Sequence, residues 1–221
     1  MNKRKERVVI VDDHPLVRER LAQLINHELD MESCGEAGDT QSAMEIIRET
    51  TPDLVIIDIT LRGPSGIDLI KHLRALSMKV PILVLSMHEE SIYAQRVLRA
   101  GANGYITKHQ SAQEIAAAIR KILAGDIYLS EKMTAGFLKS LTGVGVKNQR
   151  KPIDRLADRE FEVFALIGRG HSPHEIAKVL DIGVATVSTY RQRIKAKLDL
   201  NTATELQHFA ISWINENDRA S

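Results

Sequence analysis

Cysteine is nearly missing from this chain. Cys34 is the only one in 221 residues, so no internal disulfide can form, which suits a reducing cytosol. As a small apolar residue beside a strand, Cys34 reads as packing rather than redox chemistry. Long apolar runs are missing too. The basic opening MNKRKERVVIVDD turns polar at Asp12, well short of the about 7–15 apolar residues of a secretory core. No stretch approaches the roughly 20 apolar residues of a membrane span, so a soluble cytoplasmic protein without a membrane partner is expected. An excess of charge of one sign is also lacking. A net charge of +1 neither favours nor excludes nucleic acid, so the distribution of charge has to decide. There is no internal repeat and no low-complexity tract.

What is present is an ordinary globular composition, 43% apolar and 27% charged, in a chain long enough for two modest domains with their own cores. Strands are expected at Val8–Val11, Met31–Glu36, Asp53–Ile57, Ile82–Leu85 and Gly104–Thr107. Helical stripes lie between and after them, such as Val17, Leu21 and Leu24 in the first and Ile115, Ile119 and Ile122 in the last. Short apolar strands alternating with helices of 10–15 residues predict right-handed βαβ units. The expected fold is an α/β doubly wound, five-stranded parallel sheet covered on both faces.

Polar groups close four of these strands: Asp12 and Asp13, Asp58, Ser86 and Lys108. In an open parallel sheet, ligands bind beyond the carboxyl ends of the strands, where strand order reverses. Three carboxylates, a hydroxyl and an ammonium on one edge describe one site, fit for a divalent cation and a phosphoryl group. Singly, such an Asp is usually a helix cap and such a Lys a solvated charge; their joint placement is what argues for a site. Asp58 is read as the nucleophile, because a carboxylate can accept a phosphoryl group as an acyl phosphate. Asp13, Asp58 and a backbone carbonyl near Thr60, completed by water, would give the oxygen shell that Mg²⁺ prefers. Lys108 supplies the opposing charge, and Ser86 can donate to a phosphoryl oxygen.

The first domain is assigned to residues 1–125, with Gly125 ending it. Residues 126–153 are read as a linker with a helix over 130–141, because Thr142–Ile153 is polar and holds glycine, charge and proline. Residues 154–221 read as all helical. Asp158 is expected to cap a helix stopped by Gly168 and Gly170. Ser172-Pro173-His174-Glu175 and Thr202-Ala203-Thr204-Glu205 are expected capping boxes. Two short helices joined by Asp181-Ile182-Gly183 form a helix-turn-helix. Its second helix, Val184–Leu198, carries Arg191, Arg193, Lys195 and Lys197 and no acid over VSTYRQRIKAKL. A solvated basic face is the plain alternative, but the second helix of this motif enters the major groove of double-stranded DNA. There Gln192 could read adenine, Ser188 or Thr189 base or phosphate, and Arg191, Arg193 and Lys195 phosphates. Thr186 and Tyr190 are read as backbone contacts. The apolar stripe of the last helix, with Trp213, packs on its own domain.

VVIVDDHPLVR, DLVIIDITLRGPSG, ILVLSMH and AGANGYITK resemble a bacterial two-component receiver domain. LADREFEVFALIGRGHSPHEIAKVLDIGVATVSTYRQRIKAKL resembles the LuxR-type helix-turn-helix. Together they resemble a response regulator of the NarL/FixJ family over nearly the whole chain except the linker. The resemblance implies Asp58 as phospho-acceptor from a histidine kinase. It implies Asp13 as a direct and Asp12 as a water-mediated ligand of Mg²⁺, Ser86 and Lys108 as phosphoryl ligands, and Tyr105 as a rotating switch. It also implies a transcriptional regulator that dimerises when phosphorylated, with the last helix as a dimer contact. Arg62 and His109 stand where receivers often carry proline. The rival is a phosphatase of the haloacid-dehalogenase type, which needs an Asp where Thr60 stands. A regulator acting through protein contacts alone is a second rival.

Overall fold

A computed structural model describes residues 4–131, 133–135 and 152–219. They fall into two compact units, one ending at Glu131 and the other following it. Most of the expected linker, and of the helix over 130–141, lies outside the described residues.

The first unit is a five-stranded sheet in the order β2-β1-β3-β4-β5, with β1 at Glu6–Val11, β2 at Met31–Ala37, β3 at Leu54–Ile57, β4 at Ile82–Ser86 and β5 at Gly104–Thr107. Every neighbouring pair is parallel. Helices α1 (Pro15–His27), α2 (Thr40–Thr50), α3 (Gly66–Ala75), α4 (Glu90–Ala100) and α5 (Ala112–Leu123) follow the strands in alternation. β3, β4 and β1 from Val8 onward are nearly continuous buried apolar runs because helices cover both faces, while the edge strand β2 is half-exposed. β1 is extended to the left by β2 and to the right by β3, so strand order reverses there and a crevice opens at its carboxyl end. The β1–β2 register slips between Val8 and Val9. Val8 pairs with Ser33 and Val9 with Gly35, which leaves Cys34 as the extra residue of a bulge.

Caps fix where the helices begin. Asp39 accepts from the Gln41 and Ser42 amides at the start of α2. Ser65 with Asp68, and Ser111 with Glu114, form reciprocal capping boxes on α3 and α5. At the other pole Arg74 ties three elements together. Its guanidinium donates to the carbonyls of Met78 (2.6 Å), Val80 (3.0 Å) and Gly101 (2.8 Å), closing the C-termini of α3 and α4 onto the start of β4.

Residues 126–131, expected to begin the linker, stay with this unit. Tyr128 bridges to Gly104 in parallel fashion. Its carbonyl accepts from the Tyr105 amide at 2.9 Å, and its own amide donates to the Asn103 carbonyl at 3.0 Å.

The second unit starts with a 3-10 turn at Pro152–Arg155. It continues through α6 (Asp158–Gly168), α7 (Pro173–Val179), α8 (Val184–Lys197) and α9 (Ala203–Arg219). Phe161, Phe164, Ile176, Val187, Ile194, Leu206 and Ala210 are buried. Trp213 meets Phe161 and Phe164 edge-on, with ring centroids 5.6 and 5.8 Å apart. Two expectations are corrected. Asp158 is not the cap of α6: Ala157 holds that position, and Asp158 is buried in the first turn. The Glu160 carboxylate instead accepts from the Ala157 amide at 2.8 Å. Gly168 is the last residue of α6, as expected to within one position, and a Cβ there would lie 2.6 Å from the Ala210 carbonyl oxygen. Gly170, at φ +85°, makes the turn. At α9, Thr202 accepts from the Glu205 amide, but Glu205 reaches back to the Asn201 amide rather than to Thr202.

Candidate functional site

Each strand delivers its polar residue to the crevice through backbone pairing. The Asp12 amide donates to the Ala37 carbonyl, the Asp58 amide to Val11 and the Lys108 amide to Ser86. The ends of β1, β3 and β4 and the loop after β5 are thereby pinned side by side. Asp12, Asp58 and Ser86 are buried, and Asp13 is partly open. Lys108 Nζ lies 2.5 Å from Asp12 Oδ2 and 2.7 Å from Asp58 Oδ2, so one ammonium spans two strand ends. The second Asp58 oxygen, Oδ1, is buried with no hydrogen-bond partner.

Burial pushes the Asp58 carboxyl up to about 6, with Lys108 opposing and Asp12 adding to the rise. At Lys108 burial works against the charge, but the pull of Asp58 and Asp12 outweighs it and leaves its pKa above the ordinary lysine value. The cationic partner therefore stays charged beside a carboxyl whose ionised form burial disfavours. One ligand atom from each of Asp12, Asp13, His14 and Asp58 lies within 4.8 Å of the others. The three carboxylates of this cluster, and the partnerless Asp58 Oδ1, fit a small hard cation such as Mg²⁺.

Gly66 keeps the acceptor loop in place. A Cβ there would fall 1.9 Å from the Asp58 carbonyl oxygen, and the Gly66 amide donates to the Ile59 carbonyl at 2.8 Å. The turn through Gly63 (φ +79°) forms with Arg62 in place of the common proline. Arg62 Nε sits 3.9 Å from Asp13 Oδ2. Beyond β4, the Ser86 hydroxyl accepts from the His88 amide at 3.3 Å. The buried Tyr105 phenol donates to the His88 carbonyl at 2.7 Å. Burial raises the Tyr105 pKa well above its ordinary value, so the phenol stays a donor.

In the second unit, Val187, Ile194 and Leu198 face the core from α8. Thr186, Ser188, Thr189, Gln192 and Arg193 are exposed, and Tyr190, Arg191 and Lys195 are partly so. The Ser188 and Thr189 hydroxyls bond back to the Val184 and Ala185 carbonyls at 3.1 Å. Lys197 belongs to the fold: its ammonium is 2.7 Å from the buried Glu160. The outward face is thus hydroxyls, one amide and cations, with no acid.

The model of the response regulator receiver domain matches residues 8–120, and that of bacterial regulatory proteins of the luxR family matches residues 154–210. The chain is a response regulator of the NarL/FixJ family. It joins a receiver to a LuxR-type helix-turn-helix domain and regulates transcription by binding DNA. It is similar to the oxygen regulatory protein NreC of Staphylococcus carnosus, 32% identical over 93% of this chain and 96% of that protein. It is also similar to a putative transcriptional regulator of Pseudomonas aeruginosa, 34% identical over 92% and 96%. A solved LuxR-family two-component response regulator from Aurantimonas sp. SI85-9A1 is 38% identical, with a TM-score of 0.57. The match covers 62% of this chain and 99% of that one.

Three residues of the response regulator's site escaped sequence reasoning. His14 Nδ1 lies 2.7 Å from Asp13 Oδ1 and 3.3 Å from Asp12 Oδ1; its adjacency to the acid pair was a usable signal. Arg18, one helical turn further on, donates to the Asp12 carbonyl at 2.6 Å. His88 places Nε2 3.0 Å from the Thr60 hydroxyl and stacks on Tyr93 at 4.6 Å. Nothing in the local sequence around His88 announces a contact with a loop 28 residues away.

Proposed function

We propose that Asp58 accepts a phosphoryl group from a histidine kinase and that this step controls how the helix-turn-helix domain engages DNA. The observation that supports the acceptor role is the split of one carboxylate. Its Oδ2 is held by Lys108, while its Oδ1 is buried and partnerless. An Asp58 oxygen attacks phosphorus, the bond from phosphorus to the donor's histidine nitrogen breaks, and the electron pair returns to the imidazole. Mg²⁺, when bound, neutralises the transferred oxygens. Asp13, Asp58 and the Thr60 backbone carbonyl would hold it directly, and Asp12 through water. Lys108 and Ser86 bind the remaining phosphoryl oxygens, and Tyr105 follows the loop that carries Ser86 and His88.

No turnover of free phosphate esters is proposed. Thr60 stands where a dehalogenase-type phosphatase needs an acid, and its hydroxyl is engaged with His88. On DNA, Gln192 reads a base, Ser188 and Thr189 meet base or phosphate, and Thr186, Tyr190, Arg191, Arg193 and Lys195 follow the backbone. Two phosphorylated copies bind together, in the cytoplasm; no helix among the described residues is long and apolar enough to cross a membrane. Incubation with acetyl phosphate and Mg²⁺ followed by intact-mass and peptide analysis tests the acceptor. One phosphoryl group at Asp58 is expected, and undiminished labelling of Asp58→Asn would overturn the assignment.

A further inference from the structure

The residues after α5 belong to the receiver's sheet, and they touch the parts of the receiver that carry the signal. Tyr128 accepts from the amide of Tyr105 in β5 and donates to the Asn103 carbonyl just before that strand. Its ring packs against the core beneath α5, with Lys121 Nζ 5.9 Å from the ring centroid. Two residues on, the Ser130 amide donates to Glu90 Oε1 at 2.9 Å. Glu90 opens α4, two residues beyond His88, whose carbonyl holds the Tyr105 phenol.

The sequence makes room for this arrangement. A Cβ on Gly104 would lie 2.9 Å from the Tyr128 carbonyl oxygen and 3.0 Å from the Tyr128 Cβ. The absence of a side chain at Gly104 lets residues 126–130 lie flat on the edge of β5. Ile127 is left 59% exposed beside it and Tyr128 and Leu129 are only half-buried, so modest apolar burial reinforces the hydrogen bonds. Such segments occupy the low-stability end of a domain and open before the rest.

We propose that residues 126–130 are a strap read by the phosphorylation switch. The strap is fastened when the β4–α4 loop leaves Glu90 under the Ser130 amide. It loosens when that loop is drawn toward a phosphorylated Asp58. Because the chain runs from the strap into the DNA-binding unit, loosening lengthens the covalent tether between the two units by the residues released. Binding linkage makes the effect reciprocal: whatever weakens the strap must favour the phosphorylated form by the same factor.

This inference rests on Asp58 being the acceptor, and the test keeps the two apart. Amide exchange of the full chain is followed with and without beryllofluoride and Mg²⁺, while ¹⁹F resonances report whether the mimic occupies the site. With the mimic bound, the amides of Tyr128 and Ser130 should exchange about fivefold faster or more. Glu90→Gln, which weakens the acceptor of the Ser130 amide, should raise those rates without the mimic and should tighten beryllofluoride binding. Gly104→Ala should do so more strongly, and Glu90→Gln keeps the test valid if Gly104→Ala fails to fold. Bound beryllofluoride with unchanged exchange at both amides, or Glu90→Gln with wild-type beryllofluoride affinity, overturns the strap. An absent ¹⁹F signal at Asp58 overturns the acceptor assignment, and the strap with it.

Discussion

Asp58 and Lys108 are 50 positions apart, yet the ammonium donates to Asp58 Oδ2 at 2.7 Å while also meeting Asp12 at 2.5 Å. The pairing follows from the strand order, which sets β3 beside both β1 and β4 and gives β4 its other neighbour, β5. A charge triad of two acids and one cation, buried at a sheet edge, remains an acidic site after the lysine is counted. Burial then falls on Asp58, whose carboxyl is raised to about 6 from an ordinary value of 3.8.

That shift has a sign. A carboxyl whose folded pKa is raised binds its proton more tightly in the folded state, so its contribution to stability is full below about pH 4. It is lost as pH rises through about 6. The metal-free receiver should therefore lose stability between about pH 4 and 7, by at most about 3 kcal/mol from this group. Thermal unfolding of wild type and Asp58→Asn across that range isolates the effect. The wild-type curve should fall relative to the variant as pH rises, and added Mg²⁺ should remove the difference at neutral pH.

Ser86→Ala and Lys108→Ala should separate acceptance of the phosphoryl group from its consequences. Neither residue is the nucleophile, so labelling of Asp58 should persist, more slowly for Lys108→Ala because a charge opposing the phosphoryl group is gone. Dimerisation and the gain in DNA affinity should be lost in both, and in Tyr105→Ala. Analytical ultracentrifugation after acetyl phosphate treatment reads this directly, and wild-type dimerisation in all three would place the signal elsewhere.

Much of this site was legible in the sequence because short apolar strands announce their ends, and Asp12, Asp58, Ser86 and Lys108 each sit at one. What was not legible depends on tertiary approach. Asp158 looked like a cap, but Ala157 holds that position, with Glu160 accepting from its amide, and Asp158 is buried in the first turn. Gly168 ends its helix as its sequence suggested, but its close packing against α9 shows only in the fold. His88 carried no reading from the sequence, and only the fold brings it to Thr60.

Arg74 should be a stability residue with no part in signalling. Its guanidinium closes carbonyls of Met78, Val80 and Gly101, and burial lowers its pKa, so its loss strands several acceptors. Arg74→Ala should cost about 2–4 kcal/mol. Arg74→Lys should recover only part, since one ammonium cannot reproduce the planar fork. Urea unfolding checks this, and beryllofluoride affinity should stay unchanged in Arg74→Lys.

The recognition face of α8 should divide its work. Gln192→Ala should cost about 1–3 kcal/mol at one operator position and relax preference there. Arg193→Ala and Lys195→Ala should weaken binding on every sequence and lower the salt slope by about one unit per lost phosphate contact. The operator should be an inverted repeat with half-sites about one helical turn apart. Titrations on operator variants at two salt concentrations distinguish these effects. A uniform loss from Gln192→Ala would assign the reading face to Arg191 instead.

The most direct measurement compares operator affinity with and without beryllofluoride and Mg²⁺, for wild type and Asp58→Asn in the same titration. The expected result is tighter binding by wild type when the mimic is present and no change for Asp58→Asn. A wild-type affinity indifferent to the mimic, or an equal gain in both proteins, would contradict control of DNA binding through Asp58.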